Sequence, residues 1–127
     1  MRQALKRLPK AELVRALHDE SNINGADLSS VDLSGVNLAR CNLSGGRFNG
    51  ADFTGSYLQG TLARRASFLR AKMPGVAMPA AALEGAGFRS ADLRGANRSW
   101  ADLRSASFAA ADMSDAQLFS ATMTGAV

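Results

Sequence analysis

A five-residue period is the feature that most restricts how this chain can fold. Counted from Ser21, the sequence divides into 21 consecutive five-residue repeats that end at Gly125 without an insertion. The third residue of each repeat, here called the centre, is apolar in 20 of the 21 repeats. Neither the helical period of about 3.6 nor the strand period of about 2 produces this spacing. A chain that turns a corner once per repeat keeps every centre pointing inward, so the period predicts a solenoid.

A second period of twenty residues predicts four sides for each coil. Four of the six phenylalanines stand twenty residues apart and are expected to form one core ladder, which consists of Phe48, Phe68, Phe88 and Phe108. Four repeats per coil would stack these rings, whereas five repeats per coil would scatter them. We therefore predict a square solenoid of about five coils, roughly 25 Å long at a strand spacing of about 4.8 Å.

The four sides are named by their centres. Face one has the centres Ile23, Leu43, Ala63, Leu83, Leu103 and Met123, and face two has the phenylalanine ladder. Face three has Leu33, Phe53, Met73, Leu93 and Met113, and face four has Leu38, Leu58, Met78, Arg98 and Leu118. The charged Arg98 breaks the rule for centres, and we expect a bulge that turns it outward because an unpaired charge inside an apolar solenoid is costly. Ala63, which follows Leu62, is expected to mark a second irregular repeat.

The repeats resemble those of the pentapeptide-repeat family. The resemblance rests on Ala-Asp-Leu and Ala-Asp-Phe triplets, seen at 26–28, 51–53, 91–93 and 101–103, and it extends over residues 21–125. It implies an all-β solenoid, a right-handed quadrilateral β-helix. Two domains are then expected, an N-terminal helical cap in 1–20 and a β-helix in 21–127.

Residues 1–20 lie outside the repeat and are predicted to form that cap. Pro9 suits the first turn of a helix, and Leu13, Val14 and Leu17 then fall on one face. Leu5 and Leu8 extend that face. A helix there would cover the first coil and its unpaired strand edge. A membrane-binding or partner-binding helix is the alternative, which acidic residues such as Glu12 and Asp19 disfavour. The other end has no equivalent segment, so we expect it to pair with a second copy, another domain or a partner.

The residue types argue against catalysis. One Cys and one His exclude an internal disulfide and a Cys/His zinc site, and no membrane span or signal peptide is predicted. His18 has no evident partner nucleophile, and Cys41 occupies a small inward position as a filler. A column of acids, Asp32, Asp52, Asp92 and Asp112, is interrupted by Lys72 and could bind a cation or act as an acid/base pair. Asn stands at the equivalent position elsewhere, which favours a turn-stabilising role. We predict no enzyme, no cofactor and no metal.

Two outer surfaces are candidates for binding. Six arginines on the adjoining faces one and two form a candidate anion-facing patch, whose members are Arg47, Arg64, Arg65, Arg70, Arg89 and Arg104. A solubilising surface of mixed charge is the alternative. No aromatic stacking platform accompanies the arginines, which disfavours nucleic acid as a partner. Face four carries exposed apolar groups that form a candidate protein interface, with Tyr57, Pro79, Trp100 and Phe119 as members.

Three functions follow from these features. The first is a non-catalytic scaffold that binds a protein partner, or itself as a homodimer, through an outer face and the C-terminal end. The second comes from the resemblance, since some family members mimic duplex DNA and protect gyrase; the net charge of +4 disfavours it. The third is a repeat domain of a larger bacterial effector or secretion-linked protein. A cytoplasmic location is expected, or export without a signal peptide for an effector.

Overall fold

The computed structural model describes residues 5–19, 25–99, 101–118 and 121–127. Helix α1 comprises Lys10–Asp19, and its first backbone bond runs from the Leu13 N–H to the Pro9 carbonyl oxygen at 2.8 Å. Pro9 therefore immediately precedes the helix, where its missing N–H costs nothing. Leu13 and Leu17 of α1 are buried in the same core cluster as the repeat centres, and Leu5, Leu8 and Val14 pack against that cluster.

The repeats pair with one another at a separation of twenty residues. Parallel bridges, each one residue long, join the second residue of a repeat to its equivalent one coil further on. The described bridges fall into four columns, one per face: 27-47-67-87-107 on face two, 32-52-72-92-112 on face three, 37-57-77-97-117 on face four, and 42-62-82-102-122 on face one. The twenty-residue period in the sequence is thus the spacing between stacked coils.

Each repeat alternates a short straight side with a tight corner. The first and third residues point inward and are buried through most of the described solenoid, whereas the fourth and fifth residues form the turn. The fifth residue has a positive φ, which glycine adopts at ten described positions. Non-glycine residues occupy the other described fifth positions in the same left-handed conformation, and Arg65 and Arg70 are examples with a φ of 58° each. This conformation is sterically unfavourable for L-residues. Pro74 and Pro79 occupy the preceding turn position, where a fixed φ is useful.

The interior is a column of stacked apolar layers. The rings of Phe68 and Phe88 lie 5.0 Å apart between centroids at an interplanar angle of 6°, and those of Phe88 and Phe108 lie 5.1 Å apart at 2°. Phe48 continues the stack below Phe68 at 5.5 Å. Phe53 of face three contacts Phe48 and Phe68 edge-on, a geometry that aromatic rings favour. The small first residues of the repeats let these large centres fill a narrow lumen.

Two predicted irregularities are wrong. Arg98 does not bulge outward but is fully buried at the centre position. Its backbone stays in register, with the N–H donating to the Gln117 carbonyl oxygen at 2.8 Å, so the repeat keeps its shape and carries the charge inward. The repeat around Ala63 is also regular, because Ala63 is buried and Leu62 joins the bridges of its column. A small centre is accommodated without any change in the path of the chain.

Candidate functional site

Face four presents an exposed aromatic side chain on a rigid backbone. Tyr57 is 57% exposed, and parallel bridges hold it between Asn37 and Ala77. Pro79 lies in the next corner on the same face and is half-buried. The other two members of the candidate interface, Trp100 and Phe119, lie outside the described residues. Tyr57 therefore points outward, as its position in the repeat predicts, on a face where few charged groups surround it.

A groove runs between helix α1 and the base of face four. It has a volume of about 650 Å³ and is lined by Lys10, Ala11, Val14, His18, Val36 and Asn37. Most of this lining is apolar, and Lys10 supplies a charge at one end, where it contacts Asp32 at 3.4 Å. Asn37 belongs both to the groove and to the bridge column of Tyr57, so the groove and the exposed ring are neighbours on one side of the molecule.

The structure brings together His18 and Cys41, which sequence reasoning left apart. Nε2 of His18 lies 2.8 Å from the Asn37 carbonyl oxygen, and Nδ1 lies 3.3 Å from the Cys41 Sγ. A carbonyl oxygen accepts only, so Nε2 carries a proton, and in the neutral ring Nδ1 accepts from the thiol. Burial raises the pKa of Cys41 to about 11, which keeps the thiol protonated at neutral pH. The pair joins α1 to the solenoid and offers no thiolate nucleophile.

Nothing in the sequence pattern alone identified this contact. Cys41 replaces the usual Ala or Val of the first repeat position, and His18 directly follows the buried Leu17 on α1. These two features are the only signals in the sequence. The two side chains meet only because α1 packs on one particular side of the first coils. The sequence analysis expected no partner nucleophile for His18 and did not anticipate the contact with Cys41, which is buried as expected.

The aspartates of face three bind their own turns. The Asp32 Oδ1 accepts from the Ser34 N–H at 3.0 Å and from its hydroxyl at 2.6 Å, and Asp112 accepts from Ser114 in the same way at 3.0 and 2.7 Å. These bonds hold the pKa of both carboxyl groups below the ordinary value. Asn37 and Asn97 make the equivalent backbone bond, which an amide oxygen accepts equally well. The acid column is thus a series of local turn bonds.

The arginines on faces one and two differ in whether a nearby carboxylate neutralises them. All six arginines of the candidate patch are exposed. Arg104, however, makes a two-point contact with Asp102, at 2.9 and 2.7 Å, and also lies 3.3 Å from Glu84. These carboxylates neutralise Arg104, whereas the structure shows no comparable ion pair for the other five arginines among the described residues.

The C-terminal coil has a looser core than the coils before it. Leu118 is 37% exposed although it occupies a centre position, and Met113 and Met123 are half-buried. The equivalent centres one coil earlier, among them Leu93 and Leu103, are fully buried. The difference arises because no described coil lies beyond the last one to cover its upper side.

Two features are absent from the described parts of the chain. No helix among these residues is long and apolar enough to cross a membrane. No group of three or more His, Cys, Asp or Glu side chains in the same residues is placed to hold a metal ion.

Four bridge columns, a buried centre in each repeat and a turn at each corner define a quadrilateral solenoid of five-residue repeats. A family model described as Pentapeptide repeats matches the chain in eight copies, over residues 21–60, 47–85, 80–108 and 99–127. The chain therefore belongs to the pentapeptide-repeat family, whose members fold as right-handed quadrilateral β-helices.

Solved structures with this fold support the assignment. Rfr23, a pentapeptide repeat protein from the cyanobacterium Cyanothece 51142, is 19% identical with a TM-score of 0.71, and the match covers 94% of this chain and 99% of that one. A pentapeptide repeat protein from Nostoc PCC 7120 is 23% identical with a TM-score of 0.68, covering 89% and 91%. QnrB1, a plasmid-mediated fluoroquinolone resistance protein, is 19% identical with a TM-score of 0.50, covering 81% of this chain and 63% of its own. No curated protein sequence matches the chain.

Proposed function

We propose that this chain is a non-catalytic interaction scaffold that binds a protein partner, or a second copy of itself, through face four and the C-terminal end of the solenoid. The observation that carries the proposal is the exposure of Tyr57, an amphipathic aromatic side chain of the kind that dominates protein interfaces, on a backbone that needs no rearrangement to bind. The neighbouring groove between α1 and face four extends the apolar area on that side.

The two ends of the solenoid have different roles in this proposal. Helix α1 caps the first of about five coils, because Leu13 and Leu17 bury themselves against the lumen and protect the first coil from edge pairing. At the other end, the half-exposed centres and Leu118 offer apolar surface that a partner, a second copy or further chain would cover. A partner that spans the Tyr57 side and this end would contact one continuous face.

Gyrase protection by DNA mimicry is the second candidate, and no observation favours it over a scaffold. The likeness to QnrB1 is a likeness of fold. DNA mimicry needs a strongly negative surface, whereas this chain has a net charge of +4 and presents exposed arginines on two adjoining faces. The same surface is open to a negatively charged protein, which is compatible with the scaffold.

Site-specific crosslinking tests the proposal directly. A photoreactive benzoylphenylalanine is placed at Tyr57, and the purified protein and the cells that produce it are irradiated. We expect a crosslinked product, either a dimer of the 13.3 kDa chain or a heavier complex with a partner. The matched control places the same group at Lys72, which is exposed on face three, outside both candidate binding surfaces. Light scattering over a range of concentrations then assigns the product to self-association or to a partner.

Substitution provides the second test. Tyr57→Ala, and separately Trp100→Ala combined with Phe119→Ala, are expected to weaken the complex while the circular dichroism spectrum stays unchanged. Equal crosslinking from positions 57 and 72, together with a monomeric mass at every concentration, would contradict a binding role for face four.

A further inference from the structure

Arg98 places a guanidinium group inside the lumen of the solenoid. The residue is 0% exposed, its Nη2 lies 3.3 Å from the Met113 Sδ, and its Cζ lies 4.9 Å from the centroid of the Phe108 ring. The other two nitrogens, Nε and Nη1, have no hydrogen-bond partner among the described residues. A group with five N–H donors is thus held in place by one weak acceptor and one aromatic face.

This environment leaves a positive charge uncompensated. Burial lowers the pKa of Arg98 to about 10, so the group still carries its proton at neutral pH. The other described centres are apolar, and none of them supplies a carboxylate to the lumen. Buried charges in proteins are ordinarily paired, because desolvating an unpaired ion costs more than a single thioether contact returns.

The position of the guanidinium shows from which side an anion can approach. Both of its contacts, Phe108 and Met113, are centres of the last coil, which is the layer beyond its own. That layer is the loosely covered one, with Met113 half-buried and Leu118 37% exposed. Met113 is unbranched and flexible, and its sulfur is a weak acceptor that an anion can replace with little strain.

We propose that Arg98 anchors an anion site at the C-terminal end of the lumen, which takes one small monovalent anion of the size of a carboxylate group. The site goes beyond the proposed function, because a free anion can fill it without any protein partner. The same chemistry has a second source, the Asp or Glu side chain of a polypeptide that covers the end of the solenoid.

Nuclear magnetic resonance tests the site in the isolated protein. The Nε–H resonance of Arg98 is assigned by its loss in Arg98→Met, a substitution that keeps the unbranched stem and removes the charge. Sodium formate is titrated at a constant sodium concentration against sodium gluconate, whose anion is much larger than the proposed ligand. We expect this resonance to shift and saturate with formate, and not with gluconate.

Thermal unfolding gives an independent readout. At tenfold the formate Kd, linkage predicts a rise in Tm of about 4–7 °C for a domain of this size. The rise is expected in the wild type and in Lys72→Met, which removes an exposed cation on face three, and is expected to vanish in Arg98→Met. Comparing formate with gluconate in each variant cancels the general salt effect.

The result differs if the carboxylate comes from an Asp or Glu side chain of a polypeptide that covers the end of the solenoid. Formate then has little effect on the isolated protein, but Arg98→Met, unlike Lys72→Met, abolishes the self-association or the crosslink formed from position 57. If Arg98→Met matches Lys72→Met in anion dependence, mass and crosslinking, the site does not exist. Weakening of the complex in Tyr57→Ala alone concerns face four and leaves the anion site intact.

Discussion

The side chains inside the solenoid show how strictly the first repeat position selects small, apolar residues. Ala, Val and Cys fill it at most places without any polar atom to satisfy. Thr61 is tolerated because its Oγ1 donates to the Leu38 carbonyl oxygen at 2.9 Å. Ser56 is fully buried, and its hydroxyl has no partner among the described residues. The two hydroxyl groups therefore contribute to stability with opposite sign.

Ser56→Ala is expected to raise the free energy of unfolding by about 1 kcal/mol, because it removes a buried hydroxyl without a hydrogen bond. Thr61→Val is the matched change and is expected to lower the free energy of unfolding by about 1 kcal/mol, because it removes a hydroxyl that makes a hydrogen bond. The only group that loses a partner is the Leu38 carbonyl oxygen. Urea denaturation of both variants measures the difference. A loss of stability in Ser56→Ala would show that its hydroxyl is bonded in solution.

Single elements of this fold are short, so each depends on contacts with its neighbours. Helix α1 has ten residues, fewer than an isolated helix needs to be stable in water. Its stability comes from Leu13 and Leu17 in the core and from the His18 contacts with Asn37 and Cys41. The corners are stabilised separately, by carboxylate and amide oxygens that accept backbone N–H groups two residues further on.

Leu17→Ala is expected to reduce the free energy of unfolding by about 2–5 kcal/mol, because it empties a fully buried site between α1 and the first coils. Val14→Ala, on the half-buried flank of the same helix, is the control and should cost clearly less. Chemical denaturation monitored by circular dichroism measures both. Equal losses would mean that α1 does not cover the lumen.

The turn aspartates make stability depend on acid. The pKa of Asp112 is held below its ordinary value of 3.8, first by the Ser114 hydroxyl and then by the Ser114 N–H. A carboxyl group whose pKa is lower in the folded state adds stability above the unfolded pKa and loses it as the pH falls through the folded pKa. We therefore expect stability to decline below about pH 4.

Asp112→Asn isolates this contribution, because the amide keeps the acceptor oxygen and cannot titrate, as Asn97 already shows in the adjacent face. Its unfolding free energy should fall less steeply than that of the wild type between pH 4 and pH 2. If the free energy of unfolding depends on pH in the same way in both proteins, Asp112 does not contribute to the loss of stability in acid.

The whole molecule is a one-dimensional stack in which each coil contacts the coils directly before and after it. The amides of the centres from Leu28 to Phe108 donate to the coil above, as Leu93 does to the Asp112 carbonyl oxygen at 2.8 Å and Leu103 to that of Thr122 at 2.7 Å. No described coil lies beyond Met113 and Met123 to accept from their amides. Stability in such a stack is a sum of local and nearest-neighbour terms, so opening begins at the end with the weaker cover.

Hydrogen exchange should reveal this gradient. The amides of Met113 and Met123 are expected to exchange first, followed by Leu93 and Leu103, with the central Phe68 and Phe88 slowest. Amide exchange followed by nuclear magnetic resonance measures the order. Fast exchange at the α1 end instead would place the weaker cover there, and protection of Met113 and Met123 would indicate that a partner already covers the C-terminal end.

The sequence by itself determined the solenoid, because a five-residue period with an apolar centre allows no helix or flat sheet, and because phenylalanines twenty residues apart require four sides. It also placed the glycines and prolines at corners and gave the aspartates their turn bonds, since these effects act within one repeat. The direction of Arg98, the contact of His18 with Cys41 and the orphaned hydroxyl of Ser56 were decided by tertiary structure. They depend on how layers far apart in sequence stack on one another, and a backbone held by bonds to both neighbouring coils keeps its path even where one side chain would be more stable in water.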